Sequence, residues 1–441
     1  MKTLAGILLA TLAALGMPLF LVFGAATMGL FRADGNDWEV VLTALPQEIF
    51  SSKFAESPTL VTIPLFTLAG YLMAESRTPR RLVRVSRALL GWMPGGLAIV
   101  VLAASAFFTT FTGASGITIV AIGALLFPAL LSEKYPERFS LGLVTTGGSL
   151  GLLFPPSLPI ILYGVVGGVE VESLFLAGIL PGVLTVAVLA GWSAFVGARS
   201  LVPRTPFALR EAGAALWEAK WELAIPLVLF AGLGTGFLRI HEAAAGTALY
   251  VLVVEVFVYR DLSLWRDVPR VIRESMILVG AILAILACAL GFTSFLIDTE
   301  VPMKLVDAMQ GLIGSRVAFL VALNVFLLVV GCLMDIFSAI VVVVPLVAPV
   351  AMHFGIHPLH LGVIFLLNLE IGYLTPPVGI NLFISSFRFE RPVILLYRSV
   401  LPWILLLILC LLVVTYVPGL STLLPRTFRP EPFQFMAPPA P

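Results

Sequence analysis

Gly148-Ser149-Leu150-Gly151-Leu152-Leu153-Phe154-Pro155-Pro156-Ser157-Leu158-Pro159 and, further along, Glu370-Ile371-Gly372-Tyr373-Leu374-Thr375-Pro376-Pro377-Val378-Gly379 decide the fold. Each lies inside an apolar run long enough to cross a bilayer. Each also carries a Pro-Pro pair that a continuous helix rejects, because proline removes a backbone donor and clashes with the preceding turn. Both helices must therefore break within the membrane. Broken backbone is tolerated at that depth only where it is buried in protein or lines a wet cavity. Two such breaks in matching positions of two halves point to a transporter's binding site.

Around these breaks the 441-residue chain is 60% hydrophobic and 12% charged, with a formal net charge of +1. That balance excludes an ordinary soluble domain and predicts an all-α polytopic membrane protein in contact with lipid. A β-barrel would show short segments of alternating polarity, whereas runs such as 4–30 and 400–417 are apolar nearly all round. A net charge near zero speaks against nucleic acid as a partner, since that needs a concentrated basic face. Cys288, Cys332 and Cys410 fall in apolar segments and read as small core residues. The apolar run after Met1-Lys2-Thr3 outlasts the core of a secretory signal and reads as a first span.

In chain order, spans are expected at 4–31 and 59–74, followed by a basic segment (Arg77, Arg80, Arg81, Arg84, Arg87) assigned to the cytoplasmic surface. From about 95 to 131 the chain is apolar but interrupted by Thr112-Gly113-Ala114-Ser115-Gly116. Each arm is too short for the ~30 Å hydrocarbon core, so this is a re-entrant hairpin. A broken helix at about 139–164 and a span at 174–196 complete a first repeat, 1–198. A surface helix at 199–222 connects it to a second repeat, 223–417, with spans at 223–238, 243–258 and 275–297. Its second hairpin lies at about 317–352, its broken helix at about 358–387 and its last span at 400–417, before a tail, 418–441, whose Pro-rich part, 425–441, has too few apolar residues to pack.

Sliding the chain by 221 positions superposes Val120 on Val341, Pro128 on Pro349, Gly151 on Gly372, Pro155-Pro156 on Pro376-Pro377 and Pro181 on Pro402. Prolines and glycines fix backbone geometry, so their recurrence implies a repeated pattern of helix breaks. The same shift lays the basic segment at 77–87 on 298–308, which carries Asp298, Glu300 and Asp307 against Lys304. Equivalent loops of opposite sign belong on opposite membrane faces, so the repeats are inverted.

Thr62-Ile63-Pro64-Leu65-Phe66-Thr67-Leu68-Ala69-Gly70, Phe154-Pro155-Pro156-Ser157, Leu174-Phe175-Leu176-Ala177-Gly178-Ile179-Leu180-Pro181-Gly182, Met334-Asp335 and Asn368-Leu369-Glu370-Ile371-Gly372-Tyr373-Leu374-Thr375-Pro376-Pro377-Val378-Gly379 resemble the large, DctM-like membrane subunit of tripartite ATP-independent periplasmic (TRAP) transporters. The resemblance covers nearly the whole chain. It implies a secondary active, Na+-coupled symporter that takes up a C4-dicarboxylate, sialic acid or similar carboxylate across the bacterial inner membrane by an elevator motion. It also implies two partners, a small DctQ-like membrane subunit and a periplasmic DctP-like substrate-binding protein. A stand-alone ion-coupled anion transporter of the same build is the alternative. The family's first hairpin tip often reads Ser-Gly-Ser-Ser, and here it has fewer hydroxyls, so backbone carbonyls would carry more of any ion ligation.

A hard monovalent cation needs several oxygen ligands, which hairpin tips and helix breaks supply, while the exposed amides of half-helices attract a carboxylate. One Na+ site is expected between the first tip and the first break, with Thr112, Gly113, Ala114, Ser115, Gly151 and Pro155 as candidates. A second is expected between the second tip and second break, with Asp335, Ser338, Gly372, Thr375 and Pro376. Substrate candidates are Ser115, Ser157, Asp335, Gly379 and Asn381. Close helix packing is the competing explanation for the glycines. Asp335, an acid at a hairpin apex, is expected to order the tip or to contact ion or substrate. Glu370 is expected to pair with a tip amide or to take a helix-capping or scaffold role, and Glu255 to snorkel to the interface. His353, His357 and His360 have metal-like spacing, but Gly355 and Pro358 break the helix that would align them. No organic cofactor and no enzymatic motif are expected.

Overall fold

The computed structural model describes residues 11, 17–50, 54–200, 206–310 and 315–429; the first half of the 4–31 span and residues 430–441 of the tail lie outside them. The first helices are α1 (Leu19–Ala33), α2 (Trp38–Ile49), α3 (Thr62–Glu75) and the amphipathic α4 (Thr78–Leu90). Hairpin 1 follows as α5 (Gly96–Thr112) and α6 (Ser115–Ser132), the latter with a π turn at Ile119–Gly123. The first broken helix is α7 (Glu137–Gly147), a 3-10 turn (Leu150–Leu153) and α8 (Leu158–Gly167), bent by 45° at the break. Then come α9 (Val171–Arg199), α10 (Leu209–Glu218), α11 (Lys220–Gly234), α12 (Ile240–Val258), α13 (Asp267–Asp298) and α14 (Val301–Gln310). Hairpin 2 is α15 (Arg316–Leu333) and α16 (Ile336–His353), and the second broken helix is α17 (Pro358–Gly372) and α18 (Ile380–Phe389). The chain ends in α19 (Val393–Tyr416) and α20 (Gly419–Phe428). Among the described residues 7 helices are long and apolar enough to cross a membrane, up to 8 with the bent pair; three of the seven, α6, α15 and α16, are hairpin arms of 18 residues each, longer than the sequence reading expected, so the turn at each tip and not the length of the arms marks the hairpins.

The breaks form where proline and glycine dictate. Cis peptide bonds join Pro155 to Pro156 and Pro376 to Pro377. Each broken helix crosses the first arm of its own hairpin at a glycine. A Cβ on Gly151 would stand 2.5 Å from the amide nitrogen of Thr110, and one on Gly372 only 2.4 Å from the carbonyl carbon of Gly331. No side chain fits at such backbone-to-backbone distances. Both residues of the crossing recur at the same spacing (331 − 110 = 372 − 151 = 221), so one crossing has been built twice.

The second halves of the broken helices swap partners between repeats. α8 packs on α16 of hairpin 2, and α18 packs on α6 of hairpin 1. Likewise α7 lies against α19, and α17 against α9. This reciprocity is the two-fold relation of an inverted repeat with two re-entrant hairpins and two broken helices. Outside that body α3 packs on α12 and α13, and α1 and α2 pack on α13.

Two stretches depart from the sequence reading. The Pro-rich part of the tail, 425–441, was expected not to pack, but residues 425–428 complete α20, which buries Ser421, Thr422 and Pro425 and packs on α9 and α17. A serine and a threonine fill that buried face, so apolar periodicity could not reveal it. In the connector at 199–222, only α10 is a separate surface helix. α9 runs to Arg199, α11 begins at Lys220, and residues 201–205 lie outside the described ones.

Candidate functional site

At the tip of hairpin 1, α5 ends at Gly113, whose φ of +62° turns the chain back, and Gly113 N–H donates to the Thr109 carbonyl at 2.8 Å. A Cβ here would strike the Leu158 side chain at 2.6 Å, so the tip sits directly on the start of α8. Below it the arms are tied by Thr109 Oγ1 and Thr118 Oγ1, 2.7 Å apart. On the tip itself Ser115 Oγ donates to Asn381 Oδ1 of α18 at 2.6 Å, in a buried contact between the two repeats. The tip therefore touches the N-termini of both second half-helices.

Three buried polar atoms at this junction have no hydrogen-bond partner among the described residues: Thr112 Oγ1, Ser157 Oγ and Asn381 Nδ2. Ser157 is the N-cap residue of α8, yet its hydroxyl makes no cap bond, so the first amides of α8 are left for another acceptor. Buried polar groups are otherwise almost always paired. An unpaired donor amide, two unpaired hydroxyls and a helix N-terminus suit a carboxylate, and Thr112 Oγ1 with the tip carbonyls suits a hard cation. Of the first-site candidates, the structure brings Thr112, Gly113, Ala114 and Ser115 together on the tip. Gly151 lies behind them at the helix crossing, and Pro155 lines an apolar crevice with Phe175, Leu176, Leu229 and Leu233.

Hairpin 2 is built differently. Asp335 is the N-cap of α16; its Oδ1 accepts from the amides of Phe337 and Ser338, each at 3.0 Å, and its Oδ2 accepts from the Ser338 hydroxyl. The carboxylate thus orders the tip by satisfying two of the helix's free donors. Tyr373, in the second break, accepts from the Ile336 amide at 2.8 Å, and Gly379 N–H donates to the Cys332 carbonyl at 3.3 Å. Thr375 Oγ1 is engaged with the Ile371 carbonyl at 2.9 Å. The tip and break of the second repeat are therefore adjacent, with Gly379 between them, while the side chains of Asp335, Ser338 and Thr375 already have protein partners. Pro376 lies in the same break, so any cation there would rest mainly on backbone oxygens.

Two acids make contacts other than those first expected. Glu370 was expected to pair with a tip amide or to take a helix-capping or scaffold role; it is fully buried, and neither carboxyl oxygen has a hydrogen-bond partner among the described residues, so it meets no tip amide and caps no helix. Glu255 does not snorkel: at 1% exposure it accepts from Thr78 Oγ1 at 2.8 Å and from the Arg81 guanidinium at 3.1 Å. Arg81 also binds Asp261 at 2.6 Å and Glu222, and stacks 3.8 Å from the centroid of the Tyr259 ring. Burial alone works against this charge, but Glu222, Asp261 and Glu255 together raise its pKa above the ordinary arginine value. His360 uses both ring nitrogens on α19 and α20, with the Thr415 carbonyl at 3.1 Å and Ser421 Oγ at 3.2 Å. The sequence reading also missed the Asn368–Asn324 bond at 2.8 Å, because its partners belong to different helices.

Two hairpins whose tips meet two interrupted helices, in a chain of membrane-spanning helices, define a permease. The chain belongs to the family described as tripartite ATP-independent periplasmic transporter, DctM component, whose model matches residues 6–420. It is 35% identical over 404 residues to the C4-dicarboxylate TRAP transporter large permease protein DctM of Pseudomonas aeruginosa, covering 91% of this chain and 92% of that one. It is 34% identical over 415 residues to the isethionate TRAP transporter permease protein DctMQ of Oleidesulfovibrio alaskensis, covering 92% of this chain but only 63% of that longer protein. The ectoine/5-hydroxyectoine TRAP transporter large permease protein UehC of Ruegeria pomeroyi is 32% identical, covering 79% of this chain and 82% of that one. In fold the chain is similar to the YdaH transporter of Alcanivorax borkumensis, with a TM-score of 0.66 at 14% identity, covering 91% of this chain and 98% of that chain. The chain is a multi-pass TRAP large permease, and its relatives are permeases rather than enzymes.

Proposed function

We propose that this permease takes up an organic acid carrying at least one carboxylate, coupled to Na+, across a bacterial inner membrane. The observation that carries the reading is the junction of Thr112, Ser157 and Asn381, where three buried polar atoms have no partner among the described residues and Ser157 leaves the N-terminus of α8 uncapped. Ser157, Asn381 and the first amides of α8 receive the carboxylate; Thr112 and the carbonyls of the first tip receive one Na+. A second Na+ rests on backbone oxygens around Gly372, Thr375 and Pro376. The two hairpins and broken helices, interlocked across the repeats, then move as one body against α1 to α3, α12 and α13, which is an elevator motion. The relatives' names span dicarboxylate, isethionate and ectoine transport. Neutral junction groups fit an anionic head and leave the rest of the substrate to a periplasmic binding protein, with a small DctQ-like subunit completing the complex.

Reconstitution in liposomes tests this. Uptake of succinate, sialic acid and other carboxylates is measured for the chain alone and with both partners, under an inward gradient of Na+ or of K+. Uptake only with partners and Na+ is the expected result. Uptake by the lone chain points to the stand-alone alternative, and equal uptake in K+ sinks the sodium coupling.

A further inference from the structure

A basic cleft lies at the opposite end of the molecule from the Arg87–Glu133 and Arg391–Glu137 ion pairs. α19 separates the two ends; it follows Arg391, and its 24 residues, at ~1.5 Å each, reach ~36 Å before Pro418 at the cleft wall. The cleft has a volume of about 450 Å³ and is lined by Arg316, Met352, His357, Pro418 and Arg426 among others. Arg316 and Arg426 are exposed, and neither has a carboxylate within ion-pair range among the described residues. His357 also lines the cleft; burial and the Arg426 charge hold its imidazole below the usual range, and its Nδ1 accepts from the Leu359 amide at 3.2 Å, so it adds a hydrogen-bonding group and the arginines carry the charge. His360, in the first turn of α17, is engaged with Thr415 and Ser421, and His353 ends α16 between the lining residues Met352 and Gly355.

Helix ends of both signs meet here: α15, α17 and α20 begin at the cleft, while α16 ends at His353 and α19 at Tyr416 beside it, so the positive field rests on the two arginines. Two cations facing one cleft, with no counter-charge among the described residues, favour an anion that meets both.

The surroundings say what kind of anion. Directly after Arg316, α15 exposes Val317, Val321, Val325, Val329 and Leu333, each 50–58% exposed, down its flank. On the other side α20 is amphipathic, burying Ser421, Thr422 and Pro425 while exposing Leu423, Arg426 and Phe428. That is the build of a helix lying in the membrane interface. A negative head on the arginines and an apolar chain along α15 satisfy both halves of the site.

We propose that this cleft binds the phosphodiester headgroup of a membrane phospholipid, with an acyl chain laid along the exposed flank of α15.

The full-length chain is purified, delipidated and titrated with phosphatidylglycerol, with bound lipid read by native mass spectrometry. The wild type is expected to retain the lipid. R316Q/R426Q is expected to bind about 25-fold more weakly, about fivefold per arginine. R80Q, which removes an exposed charge elsewhere, should bind as the wild type does. Equal binding by the double variant and the wild type overturns the proposal. Thermal unfolding of the wild type alone gives a test that needs no variant: phosphatidylglycerol should raise the midpoint, and inorganic phosphate at matched ionic strength should not. An equal rise with inorganic phosphate overturns the lipid assignment in favour of a soluble anion.

Discussion

Ser115 and Ser157 are both buried serines at one junction, and they have opposite hydrogen-bond standing. Ser115 Oγ is spent on Asn381, whereas Ser157 Oγ has no partner among the described residues. Removing a hydroxyl that bonds nothing in the protein costs little, so Ser157→Ala should unfold within about 0.5 kcal/mol of the wild type. If that hydroxyl binds the substrate carboxylate, the variant's half-saturation concentration should rise about tenfold, since a hydrogen bond to a charged group is worth ~1.5–3 kcal/mol. Unchanged transport kinetics would remove Ser157 from the site. Ser115→Ala should behave the other way in stability. It leaves both polar ends of the Asn381 amide unpaired in a buried place, at a cost of about 1–3 kcal/mol that thermal unfolding would register. Sequence inspection placed both serines near helix breaks. It could not see that Ser115 meets a residue 266 positions away.

At the level of helices, glycine crossings and the arginine hub hold different parts together. A methyl group on Gly151 or Gly372 would press on backbone that has no rotamer to change. Gly151→Ala and Gly372→Ala should each destabilise by about 3 kcal/mol, the upper range for overpacking. Gly246→Ala and Gly280→Ala, where nothing lies within 4 Å, should be neutral or gain up to ~1 kcal/mol. Equal behaviour of the four variants in thermal unfolding would refute the crossing. The hub on α4 ties that amphipathic helix to the start of α11 and the end of α12. Arg81→Met strands three carboxylates and should cost about 3–5 kcal/mol. Because partnership raises the folded pKa of Arg81, its contribution is complete below the unfolded value and is lost only as pH rises past it. The carboxylates stranded in the variant bind protons more readily than they do beside the guanidinium, so its deficit should grow as pH rises from 6 to 8, and a deficit that shrinks over that range would contradict the hub. The breaks were legible because proline and glycine act locally. The hub was not, because Arg81 read as one charge in a basic segment and Glu255 as an interfacial acid; their meeting depends on how α4 folds against the other half.

For the molecule as a whole, the two-fold relation is closer in backbone than in chemistry. The 221-residue echo preserved both crossings, so the repeat could be read from prolines and glycines and its inversion from the opposite charge of the equivalent loops. The tips diverged. Tip 1 leaves Thr112 Oγ1 without a partner among the described residues, while tip 2 commits Asp335 and Ser338 to capping α16. Two cation sites on such a frame should respond unequally to substitution. Sodium that binds the folded state stabilises it by about 2.7 kcal/mol per site at a hundredfold excess over its dissociation constant. The unfolding midpoint should thus rise with NaCl and not with KCl at the same ionic strength. Thr112→Val, which keeps the shape and deletes the hydroxyl, should remove roughly half of that rise, because the first site loses its side-chain ligand and the second does not. Ser338→Ala should lower the baseline midpoint by loosening the α16 cap, yet leave the sodium-dependent increment intact. A Thr112→Val protein with the full sodium response would mean that the first tip binds no cation through this side chain, and an identical response to potassium would dismiss both sites together.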